Sequence, residues 1–287
     1  GDLIEQSNQD SSVGALWTHR TKWMRGASGR RVQLEVGAEV RRNGIDQTQN
    51  LLQQPQNQTW DRRVDATVRA TDLGAYADAD LRLGPRWRIR GGGRAELLAY
   101  DVDDRLGNFT SSFQKASHLP GFRRTSQGVA AGPRLALEFK PASDWALHLA
   151  YGEGFRSPQA RQLEEGETAI FAKVRSAEIG ARLAPRDGAT VALSAGLFGT
   201  TLSRDLVFDP GEGRLEHVGP TTRLGGVVDA QLRPTSWLVA SASLTLVHAT
   251  LDAPPAATAE NPVPALAAGQ LLPYVPPAVA RLDLSAQ

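Results

Sequence analysis

The chain has no cysteine among its 287 residues, which removes disulfides, thiolate metal ligands and cysteine nucleophiles from consideration. It also lacks any run of about eighteen apolar residues, so it holds no transmembrane helix. Neither sign of charge is in excess: 32 Lys and Arg stand against 31 Asp and Glu. The basic residues are spread along the chain and form no patch, so nucleic acid is not an expected partner. The first residues, Gly1-Asp2-Leu3-Ile4-Glu5, carry neither the charged nor the apolar region of an export leader.

What the chain does have is alternation. Val32, Leu34, Val36, Ala38 and Val40 are interleaved with Arg31, Gln33, Glu35, Glu39 and Arg41. Leu73, Ala75, Ala77, Ala79, Leu81 and Leu83 alternate with Tyr76, Asp78, Asp80 and Arg82. Trp87, Ile89, Ala95, Leu97 and Ala99 alternate with Arg88, Arg90, Arg94 and Glu96. Three further runs repeat the rule: Val129 to Phe139 around Arg134 and Glu138, Trp145 to Tyr151 around His148, and Leu224 to Leu232 around Asp229. Successive strand side chains point to opposite faces, so each run describes a strand with one apolar and one polar face. Either a soluble sheet with a buried apolar face or a membrane barrel with a lipid-facing one would read this way. The runs span roughly ten to thirteen residues, close to the nine to eleven of a bilayer-crossing strand and longer than the usual five or six of soluble sheets.

A proline turn recurs about every fifty residues, as Leu83-Gly84-Pro85, Phe139-Lys140-Pro141, Leu183-Ala184-Pro185 and Leu232-Arg233-Pro234. Three of the four turns precede a tryptophan, Trp87, Trp145 or Trp237. Indoles at one shared height form the aromatic belt of a membrane interface. Between these short turns lie long connections, read at 43–71, 101–127 and 250–277. The expected fold is therefore all-β, an antiparallel transmembrane β-barrel with short periplasmic turns and long extracellular loops. About eleven strands are expected, at 13–25, 30–42, 72–83, 87–100, 128–140, 145–154, 173–184, 189–199, 222–233, 237–248 and 278–287. An odd number leaves unpaired edges, so residues 1–287 are expected to be an incomplete portion of a larger barrel. A soluble β-propeller with fifty-residue blades is the competing architecture, but it needs four short strands per period where two long ones are read here.

Motifs for chemistry are weak. Gly91-Gly92-Gly93 is not followed by Gly-Lys-Ser/Thr, and glycines in a strand more often permit close packing. Asp101, Asp103 and Asp104 lack the glycine and glutamate spacing of a calcium loop. Glu164, Glu165 and Glu167 read as a solvated acidic run. His19, His118, His148, His217 and His248 show no ligand spacing. No Gly-x-Ser-x-Gly elbow occurs. No catalytic residue, metal site or cofactor is expected. Glu35, Asp78, Asp80, Arg88, Arg90, Arg94, Arg134 and His148 are expected to line the interior, where charges of both signs brace a barrel wall through cross-strand pairs.

One segment carries a resemblance. Tyr151-Gly152-Glu153-Gly154-Phe155-Arg156-Ser157-Pro158 is similar to the Y-G-x-G-F-R-x-P segment of TonB-dependent outer-membrane receptors. Leu73-Gly74-Ala75-Tyr76, Leu206-Val207-Phe208-Asp209 and Leu272-Pro273-Tyr274-Val275-Pro276 resemble other stretches of those barrels, in the family's order. The resemblance implies a 22-stranded barrel with an N-terminal plug, located in the outer membrane and surrounded by its lipid. It implies uptake of a small ligand such as a ferric siderophore, cobalamin or a sugar, with TonB as partner through an N-terminal region absent from this sequence. Within the motif, Tyr151, Gly152, Gly154, Phe155, Arg156 and Pro158 are expected to be mainly structural. A porin or adhesin would share the barrel but not this motif.

Overall fold

The computed structural model describes residues 3–26, 30–106, 122–156, 171–183, 190–209, 214–254 and 267–286, and all its regular elements are strands. They are β1 (Leu3–Arg20), β2 (Met24–Arg25), β3 (Arg31–Gln53), β4 (Gln58–Leu83), β5 (Trp87–Asp104), β6 (Phe122–Phe139), β7 (Trp145–Arg156), β8 (Ala172–Leu183), β9 (Val191–Asp209), β10 (Arg214–Thr235), β11 (Leu238–Leu251) and β12 (Ala278–Ala286). Each pairs antiparallel with its sequence neighbour in one sheet, except that β2 is a two-residue appendage on β3, leaving β1 to pair with β3. The order β1-β3-β4-β5-β6-β7-β8-β9-β10-β11-β12 is a meander, and β1 and β12 do not pair with each other. It is a barrel wall opened along one seam.

Burial separates the two readings left open by alternation. In β3 the apolar Leu34, Val36 and Val40 are exposed, whereas the polar Gln33, Glu35 and Glu39 between them are half-buried. The pattern continues around the wall, with Ile179 58% and Leu197 66% exposed. A soluble sheet would bury the apolar set. Side chains on the concave side of a curved wall crowd together while those on the convex side splay, so the polar face is concave and the apolar face convex. That is the arrangement of a membrane barrel.

Strand length corrects the sequence reading. The long connection expected at 43–71 does not exist: β3 continues to Gln53, β4 begins at Gln58, and a four-residue turn joins them, with Asn57 at φ 54°. β4 alone has 26 residues, roughly 85 Å at about 3.3 Å per residue. β5 likewise runs to Asp104 and β6 starts at Phe122, both inside the loop expected at 101–127. Residues 13–25, expected as one strand, are split between β1 and β2.

Polarity inverts along these strands with no register shift at the crossover; the β3–β4 ladder shifts only farther out, at Gln49/Asn50 and Leu51/Leu52. Val40, Leu73, Leu97 and Val129 form one hydrogen-bonded row of convex apolar residues across four strands. On the short-turn side of that row the apolar residues stay convex, and in β4 they run from Leu73 to Leu83, the length of a bilayer crossing. On the other side they change face. Val64, Ala66, Val68 and Ala70 are buried on the concave side while Asp65, Thr67 and Arg69 point outward. Val64, Ala66 and Val68 form a core with Leu98 and Val102, packed against Ile45, Tyr100 and Phe171. A second core of Val218, Ala249, Leu251 and Leu272 sits at the same end of β10 and β11. The wall thus has a band with an apolar outside and an extension with an apolar inside.

Trp87, Trp145 and Trp237 are exposed at the short-turn end, as the turn spacing predicts. Trp87 stacks on Phe139 at 4.2 Å.

Candidate functional site

Glu35, Asp78, Asp80, Arg88, Arg90, Arg94, Arg134 and His148 stand on the concave face of the band, and most of its carboxylates pair with a guanidinium. Glu35 accepts from Arg20 Nε at 2.5 Å and from the Tyr76 hydroxyl at 3.1 Å. Asp78 accepts from Arg134 Nε at 2.7 Å, a pair that spans three strands. Asp80 holds both Arg88 Nε, at 3.0 Å, and Arg90 Nε, at 2.9 Å. Arg94 links Glu96 and Glu39. His148 Nε2 lies 2.9 Å from Glu178 Oε1. A cavity of about 710 Å³ opens over this surface, lined among others by Trp23, Gln33, Glu35, Arg82, Arg134 and Glu178.

Glycine makes room for these side chains at three places. Tyr76 stands directly opposite Gly37, and a Cβ there would sit 2.4 Å from the phenol ring. His148 stands opposite Gly180 with the same 2.4 Å approach. Both large side chains therefore lie flat across the neighbouring strand, within reach of Glu35 and Glu178. The same reasoning accounts for Gly92, in the middle of β5, where a Cβ would meet the Asp78 carboxylate at 2.0 Å.

Glu39, Asp72 and Glu96 bring carboxylate oxygens within 4.8 Å of one another. Two guanidinium groups already serve them: Arg94 binds Glu39 and Glu96, and Arg41 lies 3.4 Å from Asp72. The aspartates Asp101 and Asp104 stand on strand β5, Asp101 bound by Arg123 at 2.7 Å and Asp104 fully buried, which is not a calcium loop. His19, His148 and His248 sit on β1, β7 and β11, far apart in the sheet. His118, Glu164, Glu165 and Glu167 lie outside the described residues, as does the His217 side chain.

The Tyr151 to Pro158 motif spans the end of β7, where the convex face turns polar. Tyr151 is the last exposed large apolar residue of that strand, and its hydroxyl donates to Glu153 Oε1 at 2.6 Å. Beyond it, Glu153 also binds Lys173 and Arg175 from β8. Hydrogen bonds from Lys173, Tyr151 and Arg175 pull the Glu153 carboxyl down to a pKa of about 2. Phe155 packs edge-on against Phe171 with centroids 5.3 Å apart. Arg156 Nη2 lies 3.5 Å from the buried carboxylate of Asp205 on β9. Asp205 also accepts from Thr221 at 2.9 Å and Arg223 at 2.5 Å. A Cβ at Gly152 or Gly154 would meet no atom within 4 Å, so nothing in the structure explains glycine at either position. Pro158 lies outside the described residues.

Sequence reasoning missed the Asp205 cluster. Its members come from β7, β9 and β10, and only pairing brings them together.

An open wall of a membrane β-barrel, with a charged interior braced by ion pairs, is thus the class of structure. Residues 2–287 match the family model described as TonB dependent receptor-like, beta-barrel, and the chain belongs to that family. Solved structures agree in fold. The ferric yersiniabactin uptake receptor FyuA from Yersinia pestis has a TM-score of 0.68 at 16% identity, covering 99% of this chain and 40% of that one. The ferric citrate transporter FecA has a TM-score of 0.69 at 15% identity, with 99% and 40% covered. The siderophore receptor PiuA from Acinetobacter baumannii has 0.67 at 15%, with 96% and 44% covered. The chain spans less than half the length of these receptors. No curated protein sequence matches this chain.

Proposed function

We propose that the chain forms part of the wall of an outer-membrane receptor that takes up a scarce small ligand, of the ferric-siderophore class, with energy supplied through TonB. The observation that supports this most is the polarity inversion at the Val40-Leu73-Leu97-Val129 row. Below it the wall presents an apolar surface to lipid; above it the wall stands in water with its own core and carries the loops that meet ligand. Glu35, Asp78, Asp80, Arg88, Arg90, Arg94, Arg134 and His148 line the interior as ion-paired braces. Arg156, tied to buried Asp205, belongs to the rim architecture. The siderophore class follows from the names of the structural neighbours, FyuA among them.

Uptake of radiolabelled ferric siderophores by cells with and without the gene tests this reading. Loss of uptake on deletion, restored by the complete gene only in cells with functional TonB, is the expected result. Restored uptake in cells lacking TonB would instead mark a passive barrel, and unchanged uptake on deletion would overturn the siderophore class.

A further inference from the structure

The short-turn rim carries a charge arrangement that the interior pairing does not account for. Arg31 stands directly opposite Arg82, Arg82 opposite Arg88, and Arg88 opposite Glu138. Three arginines in adjacent strands at one level repel one another, and like charges placed opposite each other weaken a sheet. Arg88 is held by Asp80, and Glu138 is shared with Lys140 at 3.4 Å. Arg82 lies over the Trp23 ring at 4.5 Å. Among the described residues no carboxylate pairs with Arg31, Arg82 or Arg86.

These groups surround a cavity of about 420 Å³ at the β4 to β5 turn, lined by Arg31, Arg82, Arg86, Arg88, Lys140 and Trp87, with Glu138 as its one acid. Gly84, at φ 72°, and Pro85 complete the wall. The cavity is large enough for a small organic ligand. Arg31, Arg82 and Arg88 come from the concave face and Arg86 from the turn, whereas Trp87 belongs to the convex aromatic row, so the cavity wraps over the rim from the interior toward the membrane side.

We infer that this rim cavity binds a phosphate group. Guanidinium forks match phosphate oxygens two at a time, and an anion seated between Arg31, Arg82 and Arg86 relieves their mutual repulsion. Because Trp87 places the cavity at the height of an aromatic belt, a phospholipid headgroup reaches it from the membrane side, and a free phosphate reaches it from solvent. The lipid source rests on the membrane placement proposed above; the phosphate chemistry does not.

Calorimetric titration of the complete protein in non-ionic detergent tests this, with inorganic phosphate and short-chain phosphatidylglycerol as the two probes. Saturable binding of at least one probe is expected, weakened at least tenfold in the Arg31→Gln/Arg86→Gln variant. Arg42→Gln, an exposed cation on the same strand beyond the cavity, leaves the affinity unchanged. Tight binding of the lipid alone assigns a headgroup; equal binding of both assigns free phosphate. Should the double variant fail to assemble, Arg86→Gln on the exposed turn carries the same comparison. Failure of both probes to saturate below about 10 mM, or equal binding by the variants, overturns the inference, and neither result touches the family assignment.

Discussion

Strand β4 contains two proteins in one length of chain. From Leu73 to Leu83 it is built for lipid, with Leu73, Ala75 and Ala77 outside and Tyr76 and Asp78 inside; from Val64 to Thr71 it is built for water, with Val64, Ala66 and Val68 inside and Asp65, Thr67 and Arg69 outside. The hydrogen-bonded ladder to β5 runs through the change without a bulge. Only the solvent outside the wall differs. Fold and register are the same in both regions, and the alternation is equally strict, so the face an apolar side chain occupies reports which medium surrounds that height of the wall.

Adjacent substitutions break the comparison most sharply in the extension. Leu97 and Leu98 are neighbours in β5, yet Leu97 is 39% exposed and Leu98 only 4%. Truncating a buried core leucine costs about 2–5 kcal/mol, so Leu98→Ala should lower the melting temperature of the complete protein markedly while Leu97→Ala changes it little. Equal losses at the two positions would erase the distinction. In the band the sign reverses. A convex arginine near the bilayer midplane costs about 2–4 kcal/mol, so Ala77→Arg and Leu34→Arg should impair assembly, read as heat-modifiable gel mobility. Gln33→Arg, on the concave face next to Leu34, should be mild.

Smaller effects come from the interior and the rim. Tyr76→Phe removes the hydroxyl that Glu35 and Thr18 share and should cost about 1 kcal/mol, seen as a small shift in denaturation midpoint. Last is a pH effect at the outer edge of the band. Glu153 has its carboxyl held at about 2 against an ordinary 4.5, and Asp101 in the extension is lowered by its hydrogen bond from Arg123. Depressed carboxyls contribute stability that is complete above the ordinary value and is lost as pH falls toward the folded one. Stability should therefore decline from about pH 4.5 toward 2, with a shallower decline in Glu153→Gln; an identical acid profile in the variant would remove the cluster from the account.

How much of this was legible in the sequence divides along the same line. Within the band the alternation gave the strands, the proline turns gave one end of the wall, and Trp87, Trp145 and Trp237 marked its height. The extension was read as loop because Asn43-Gly44-Ile45-Asp46-Gln47-Thr48 is mostly polar and its single large apolar residue, Ile45, has changed face relative to Val40. A reader tracking one phase loses the strand where the phase inverts. Parity puts the charged residues of each run on one face of the wall but does not give their partners, because Arg134 reaches Asp78 two strands away and Arg156 reaches Asp205 through pairing of β7, β8 and β9. Parity is local information; partnership needs register.

The 287 residues hold no cysteine, so a cysteine introduced among them takes a single spin label once any cysteine elsewhere in the complete protein has been replaced by serine. Thr67→Cys, Arg69→Cys, Ala75→Cys, Ala77→Cys and Ala79→Cys place labels on the convex face of β4, in the complete protein reconstituted in bilayers. Collision rates with oxygen, which concentrates in lipid, and with a water-soluble nickel complex report the medium at each height. Oxygen should dominate at Ala75, Ala77 and Ala79 and the nickel complex at Thr67 and Arg69, with the crossover between residues 71 and 73. A single preference along the whole strand would contradict the claim that polarity inverts because the surrounding solvent does.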